Sequence, residues 1–280
     1  MAGPLRSYLY VPAHQPHRIE NAYATAADAI VLDLEDAVPP QAKDLARKTA
    51  AEMVARVPDK PTFVRVNGLC SDRTEGDVTA AAGPGLTGIR LPKAECVEDV
   101  RRVAGWLSGA GTIHLLLESA LGLENAFALA RSCPEVGGIS LGETDLAADL
   151  SAEHDVVLDF ARARCVTAAR AAGLPSPVQS VYTAVGDLDG LRESCRRGKE
   201  LGFFGRSAVH PKQLDAINET YQPTGQEIAD AVALVDLLDS AAGDDRGAVL
   251  TADGQLVDAA TVRSARRLLT GTDHSGKEHT

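Results

Sequence analysis

Short apolar runs in this chain keep ending in charged or amide side chains: IVLDLED, FVRVN, IRLPKAE, HLLLES and ISLGETD. Each run has the length of a strand, and Ala-rich stretches with helical spacing lie between them. A buried strand carries charge cheaply only at its end, where a cleft or a metal can satisfy it. The rhythm therefore predicts a parallel sheet whose strand ends meet. Glu35, Asp36, Arg65, Asn67, Lys93, Glu95, Glu118, Glu143 and Asp145 would converge there.

Eight runs read as strands: Ser7–Pro12, Ala29–Asp36, Thr62–Asn67, Gly88–Lys93, Thr112–Ser119, Gly138–Gly142, Pro177–Tyr182 and Phe203–His210. The stretches between most of them read as helices, several with capping or first-turn residues at Pro40, Asp155 and Asp187–Asp189. Strand and helix in alternation imply right-handed crossovers. Eight repeats favour a closed (β/α)8 TIM barrel over residues 1–221. The competitor is an open doubly wound sheet, but no G-x-G-x-x-G turn follows the first strand.

Beyond Tyr221 the pattern changes. QPTGQ is turn-rich, 226–240 is amphipathic, and AVLTADGQLVD reads as a hairpin around Asp-Gly. A last helix spans 259–269. Residues 222–270 are thus expected to form a helix–hairpin–helix lid or oligomer contact, and 271–280 a disordered tail.

The net charge of -11 over 280 residues argues against nucleic acid as a partner. Five dispersed cysteines, none in a Cys-x-x-Cys pair, argue for reduced thiols and a cytoplasmic protein. The N-terminus has no apolar signal core, and no run is long enough to span a membrane.

Glu118 and Asp145 stand at consecutive strand ends, which lie about 5 Å apart in a sheet. Two carboxylates with remaining positions open suit Mg²⁺, which keeps waters a substrate can displace. The alternative is a capping role for Asp145 and a rim ion pair for Glu118. Glu35 and Asp36 would repel each other if both pointed inward, so one faces the ion through water and the other a cation. The alternative is that Asp36 caps the helix at Pro39–Pro40. Arg65 ends a buried strand and needs an anion, either a ligand or a structural partner such as Glu35 or Glu95. Lys93 and Glu95 pair with each other or with Asp36. His210 reads as a hydrogen-bonded structural group, and Asp258 as the N-cap of the last helix. Ser119 and Ser140 lack a nucleophile elbow.

Taken in order, LDLEDAVPPQAK, VRVN, LPKAE, LESALG, LGETDL, AVHPKQ and GAVL–DGQLVD resemble the citrate lyase beta-subunit-like family, among the HpcH/HpaI-type aldolases. The resemblance covers almost the whole chain. It implies a Mg²⁺-dependent carbon–carbon lyase acting on short 3-hydroxyacyl-CoA thioesters such as malyl-CoA or citramalyl-CoA, or on citryl groups of a carrier protein. The products would be acetyl-CoA and a 2-oxo acid: pyruvate, glyoxylate or oxaloacetate. It also implies a homotrimer with a lid reaching the neighbour's site. Carried over, Glu118 and Asp145 match the magnesium ligands, Arg65 the oxo-acid arginine, and Glu35 and Asp36 the acids around the metal's waters. Asp258 matches the lid acid/base, delivered from another subunit.

The coenzyme A nucleotide would need cations, and Arg18 and Lys43 lie on the helices after the first two strands. Their alternative is a solvated helix face. The sequence departs from the family pattern at Gln179, where many relatives carry an acid, and at Thr144 before Asp145. It also lacks the proline that often follows the lid aspartate. Competing readings are a thioester hydrolase or a free-acid aldolase of the same superfamily, and a non-catalytic subunit that binds an acyl carrier.

Overall fold

The strand-end rhythm becomes a seven-stranded parallel sheet. A computed structural model describes residues 4–242, 248–251 and 256–272. The strands are β1 (Ser7–Pro12), β2 (Ala29–Asp33), β3 (Thr62–Arg65), β4 (Gly88–Leu91), β5 (Thr112–Leu117), β6 (Val136–Leu141) and β7 (Arg206–Ala208). Their order is β6-β5-β4-β3-β2-β1-β7. β2 is buried at every position, as expected of a strand covered on both faces.

Helices fill the crossovers: α1 (Pro16–Tyr23), α2 (Lys43–Ala55), α3 (Thr74–Ala81), α4 (Val97–Leu107), α5 (Ala120–Glu124), α6 (Ala126–Ala130), α7 (Glu143–Asp149), α8 (Asp155–Ala171), α9 (Leu188–Leu201) and α10 (Leu214–Tyr221). Asp187 caps α9 by accepting the Gly190 N–H at 2.9 Å, and Gly202 ends it at φ 98°, a left-handed conformation that favours glycine. Pro40 opens a short 3-10 turn, and α2 proper starts at Lys43.

The sheet is strongly curled. Arg90 on β4 donates from Nη1 to Ser207 Oγ on β7 at 3.2 Å, although four strand steps separate them in the sheet order. In a flat sheet these strands would lie ~19 Å apart, beyond the reach of one side chain. The inner surface carries its own apolar cluster of Tyr8, Ala29, Val31, Phe63 and Val178, while the larger core lies between sheet and helices.

One strand of the expected closed barrel is missing. The run Pro177–Tyr182 forms a single parallel bridge, Gln179 with Arg206, and no ladder joins it to β6 among the described residues. Pro175 and Pro177 lack the N–H groups a ladder needs. The segment still occupies the eighth position: Gln179 N–H donates to Gly205 O and Ser207 N–H to Gln179 O, both at 3.0 Å. The architecture is a curled seven-stranded half-barrel whose gap is filled by irregular chain.

The chain divides into two compact units, Leu5–Tyr221 and a C-terminal one. The second contains α11 (Gly225–Ala242), β8 (Ala248–Leu250), β9 (Leu256–Asp258) and α12 (Ala259–Thr272). β8 and β9 pair antiparallel, while the Asp253-Gly254 turn expected between them lies outside the described residues. Thr224 and Glu227 form a capping box at the start of α11. Gly271 and Thr272 belong to α12, not to a disordered tail, and 273–280 lie outside the described residues. Among the described residues no helix is long and apolar enough to cross a membrane.

Candidate active site

Asp33 and Arg65 are register partners across β2 and β3, so their side chains leave the sheet on the same face. Arg65 donates from Nε to Asp33 Oδ1 at 2.7 Å and from Nη2 to Asp33 Oδ2 at 2.8 Å. This fork fixes the plane of the guanidinium. The remaining nitrogen, Nη1, lies 3.1 Å from Glu35 Oε2 and 3.2 Å from Asp36 Oδ2. Burial disfavours the Arg65 charge, but the Asp33 hydrogen bonds outweigh it and its pKa is raised. Asp36 is exposed and makes no helix cap; it reaches Arg65 instead.

Asp33 was not among the expected site residues. It is 1% exposed, and it also accepts the Glu35 N–H at 3.0 Å and the Ala37 N–H at 3.2 Å. One carboxylate therefore shapes the turn that presents Glu35 and Asp36 while it clamps Arg65. The sequence signal is the first acid of LDLED, two residues before Glu35 on the same strand face.

Glu118 follows β5 and is buried; its Oε2 accepts the Lys93 N–H at 3.0 Å. Lys93 adopts φ 53°, a left-handed conformation unusual for a side chain of this kind, beside the carboxylate it serves. Gly142, just after β6, leaves room for the same carboxylate: a Cβ there would collide with Glu118 Oε1 and Cγ. Asp145 sits exposed in the first turn of α7, facing the same cavity as Glu118. Burial, then the charges of Glu35 and Asp145, push Glu118 up to about 8. Burial pushes Glu35 up to about 7 against the pull of Arg65.

Lys43, for which the sequence offered a phosphate contact or a solvated helix face, braces the strand ends. Its Nζ donates to Leu34 O and Glu35 O at 2.7 Å and to Asn67 Oδ1 at 2.8 Å, which engages all three ammonium hydrogens. Asn67 in turn donates from Nδ2 to Asp77 Oδ2 at 2.6 Å, and Arg47 Nε donates to Asp77 Oδ1 at 2.6 Å. This chain of contacts ties the ends of β2 and β3 to α2 and α3. Arg18 lies exposed on the cavity rim and makes no ion pair among the described residues.

The cavity measures about 480 Å³ and draws residues from every strand position, including Tyr10, Arg65, Arg90, Glu118, Asp145 and Ser207. A second cavity, about 450 Å³, is lined by Glu35, Asn67, Lys93, Glu95, Cys96 and Leu121. Lys93 Nζ lies 3.8 Å from Glu35 Oε1, whereas Glu95 accepts the Ser119 hydroxyl at 2.5 Å; the expected Lys93–Glu95 pair does not form. Glu143 is held by a fork from Arg162. His210 Nδ1 accepts the Lys212 N–H at 3.1 Å, a structural cap. Asp258 belongs to the C-terminal unit, where its Oδ1 accepts the Thr261 N–H at 2.9 Å at the start of α12.

The donor chemistry fits a hard divalent cation. Glu118 and Asp145 offer only carboxylate oxygens, Glu35 Oε2 is buried without a hydrogen bond beside Arg65, and the charges of Glu35 and Asp145 add to burial in raising the Glu118 pKa. Among the described residues no three His, Cys, Asp or Glu donors are gathered as a complete ligand set. Two carboxylates completed by water and substrate are the manner in which Mg²⁺ is usually bound.

A parallel sheet with acids and a clamped arginine at its strand ends defines an α/β protein with a strand-end acidic site. The sequence pattern of the HpcH/HpaI aldolase/citrate lyase family matches residues 6–211, and the chain belongs to that family. It is 36% identical over 277 residues to a (3S)-malyl-CoA thioesterase of Cereibacter sphaeroides, spanning 96% of this chain and 94% of that protein. It is 31% identical to citrate lyase subunit beta of Escherichia coli K12, spanning 97% and 94%. The structure of CitE from Mycobacterium tuberculosis in complex with magnesium, acetoacetate and coenzyme A matches at TM-score 0.80 and 29% identity, covering 97% of this chain and 98% of that one. The curled parallel sheet agrees with the TIM-barrel-like fold of the family.

Proposed function

We propose that this protein is a Mg²⁺-dependent carbon–carbon lyase that splits a short 3-hydroxyacyl-CoA thioester into acetyl-CoA and a 2-oxo acid. The observation that carries this reading is the clamped Arg65 beside the acids Glu35, Glu118 and Asp145 at the strand ends. The magnesium, acetoacetate and coenzyme A bound by the Mycobacterium tuberculosis relative support it.

Glu118 and Asp145 would hold the cation, which supplies positive charge to the oxo-acid oxygens. In cleavage the substrate hydroxyl loses its proton, its oxygen becomes a carbonyl, and the carbon–carbon bond breaks. The electron pair passes to the thioester's α-carbon, which then takes a proton. Arg65 steadies the negative charge that crosses the oxygen, and its fork to Asp33 keeps it from reorienting during the step. Leu116, Leu141 and Val181 in the cavity wall limit water around that charge. Asp258 of another subunit, the acid implied by the family resemblance, is the proposed donor to the α-carbon.

A thioester hydrolase is the second reading, favoured by the name of the 36%-identical relative. Incubating the purified full chain with malyl-CoA and citramalyl-CoA, with Mg²⁺ or with chelator, separates the two. A lyase yields acetyl-CoA with an oxo acid, and a hydrolase yields free CoA with a hydroxy acid. Asp145→Ala abolishes either reaction if the cation site is as proposed; full activity in that variant would refute it.

A further inference from the structure

Two arginines face the cavity from neighbouring strands, and only one is neutralised. Arg65 touches three carboxylates. Arg90, its register partner on β4, is 1% exposed and meets no carboxylate among the described residues. Its Nη1 donates to Tyr10 Oη at 2.9 Å and to Ser207 Oγ at 3.2 Å, while Nε and Nη2 are buried without hydrogen bonds. Its guanidinium carbon lies 4.7 Å from the Tyr8 ring centre and 5.5 Å from that of Tyr10. Such ring contacts attract a buried cation, but they offset only part of the cost of stripping an ion of its water. The buried charge is therefore undercompensated by the protein alone.

The two hydroxyls that accept from Arg90 have consequences for a ligand. Because each uses a lone pair on Nη1, each keeps its own O–H to donate. Tyr10, Ser207 and Ser140 all line the cavity, so these donors surround its floor with a buried cation behind them. Backed by that charge, the hydroxyls suit an anionic oxygen.

Resting on the lyase reading above, we propose that this floor is a second anion subsite. In it the Tyr10 and Ser207 hydroxyls, backed by Arg90, take a carboxylate carried on the oxo-acid half of the substrate. The preferred oxo acid is then a dicarboxylic one of the oxaloacetate type. Glyoxylate and pyruvate, which present hydrogen or methyl at that position, leave the donors unmatched.

The test is binding, not turnover. The affinities of fresh oxaloacetate and of pyruvate for the Mg²⁺-loaded full chain are measured by titration, for wild type, Tyr10→Phe and Ser207→Ala. Wild type is expected to prefer oxaloacetate. Tyr10→Phe should weaken oxaloacetate by about tenfold or more, the loss expected for a hydrogen bond to a charged group, and leave pyruvate within about twofold. Ser207→Ala should act in the same direction and serves if Tyr10→Phe does not fold. Equal wild-type affinities, or equal losses for both ligands, would overturn the subsite and leave the lyase reading standing. Failure of both acids to bind wild type would overturn the lyase reading and the subsite with it.

Discussion

Asp33 grips Arg65 through both of its oxygens, at 2.7 and 2.8 Å, across two neighbouring strands. The pair is held from a second side, because Asp33 also accepts from two backbone N–H groups of the turn it begins. Asp33→Ala leaves the largely buried Arg65 cation without its main partner and should cost about 3–5 kcal/mol, read from urea denaturation. Asp33→Asn keeps the shape but loses one acceptor; its kcat/KM should fall by about 10–100-fold. Unchanged activity in the Asn variant would remove Asp33 from the account.

The raised carboxyls make stability depend on pH and metal together. Glu118 at about 8 and Glu35 at about 7 bind protons in the native state that the unfolded chain has released above its ordinary carboxyl range. Their contribution is full below about pH 4.5 and is lost as pH rises through about 7 and 8. The metal-free protein should therefore lose melting temperature between pH 6 and 8.5. Mg²⁺ should restore more at pH 8.5 than at pH 6. A Mg²⁺ effect independent of pH would contradict this.

His114 gives the opposite slope on the acid side. Burial, then the nearby Arg90, push it down to about 3, so below about 6.5 the unfolded chain takes a proton that the native state refuses. His114→Gln should flatten the loss of stability between pH 6.5 and 4 if the protein tolerates the change. An unaltered acid limb in a folded variant would count against it.

Gly142→Ala is a probe of Glu118 alone. The backbone at Gly142 has φ -98°, which any residue adopts, so the added methyl acts only by displacing the Glu118 carboxylate. Mg²⁺ affinity, measured by calorimetry, should drop by about tenfold or more, with the fold intact by circular dichroism.

Lys43 separates brace from phosphate contact. With its three hydrogens engaged by Leu34, Glu35 and Asn67, Lys43→Met should lower melting temperature and kcat. KM should change equally for full coenzyme A thioesters and for pantetheine analogues. A KM increase confined to the nucleotide-bearing thioester would restore the phosphate role.

The sequence exposed some of this site and hid the rest for identifiable reasons. Glu35, Glu118 and Asp145 were legible because a strand-end acid has few cheap places to go. Arg65 was legible, but its main partner was not: Asp33 faces it through the β2–β3 register, which no single sequence encodes locally. The bracing contacts of Lys43 were not legible, because two of its three acceptors are backbone carbonyls, which leave no residue signature. Arg90 was not singled out, since the curl that brings it to Ser207 is a property of the whole sheet. The seventh run looked like a strand by composition, yet its prolines left it a single bridge.

The central claim is Mg²⁺-dependent cleavage of a carbon–carbon bond at the Arg65 and Glu118 cluster. The most direct measurement is mass identification of the products formed from citramalyl-CoA, malyl-CoA and citryl-CoA by the purified chain, with Mg²⁺ and with chelator. Acetyl-CoA and an oxo acid in equal amounts, formed only with Mg²⁺ and lost in Asp145→Ala, is the predicted result. Free CoA with an intact hydroxy acid, or the same products in chelator, would contradict it.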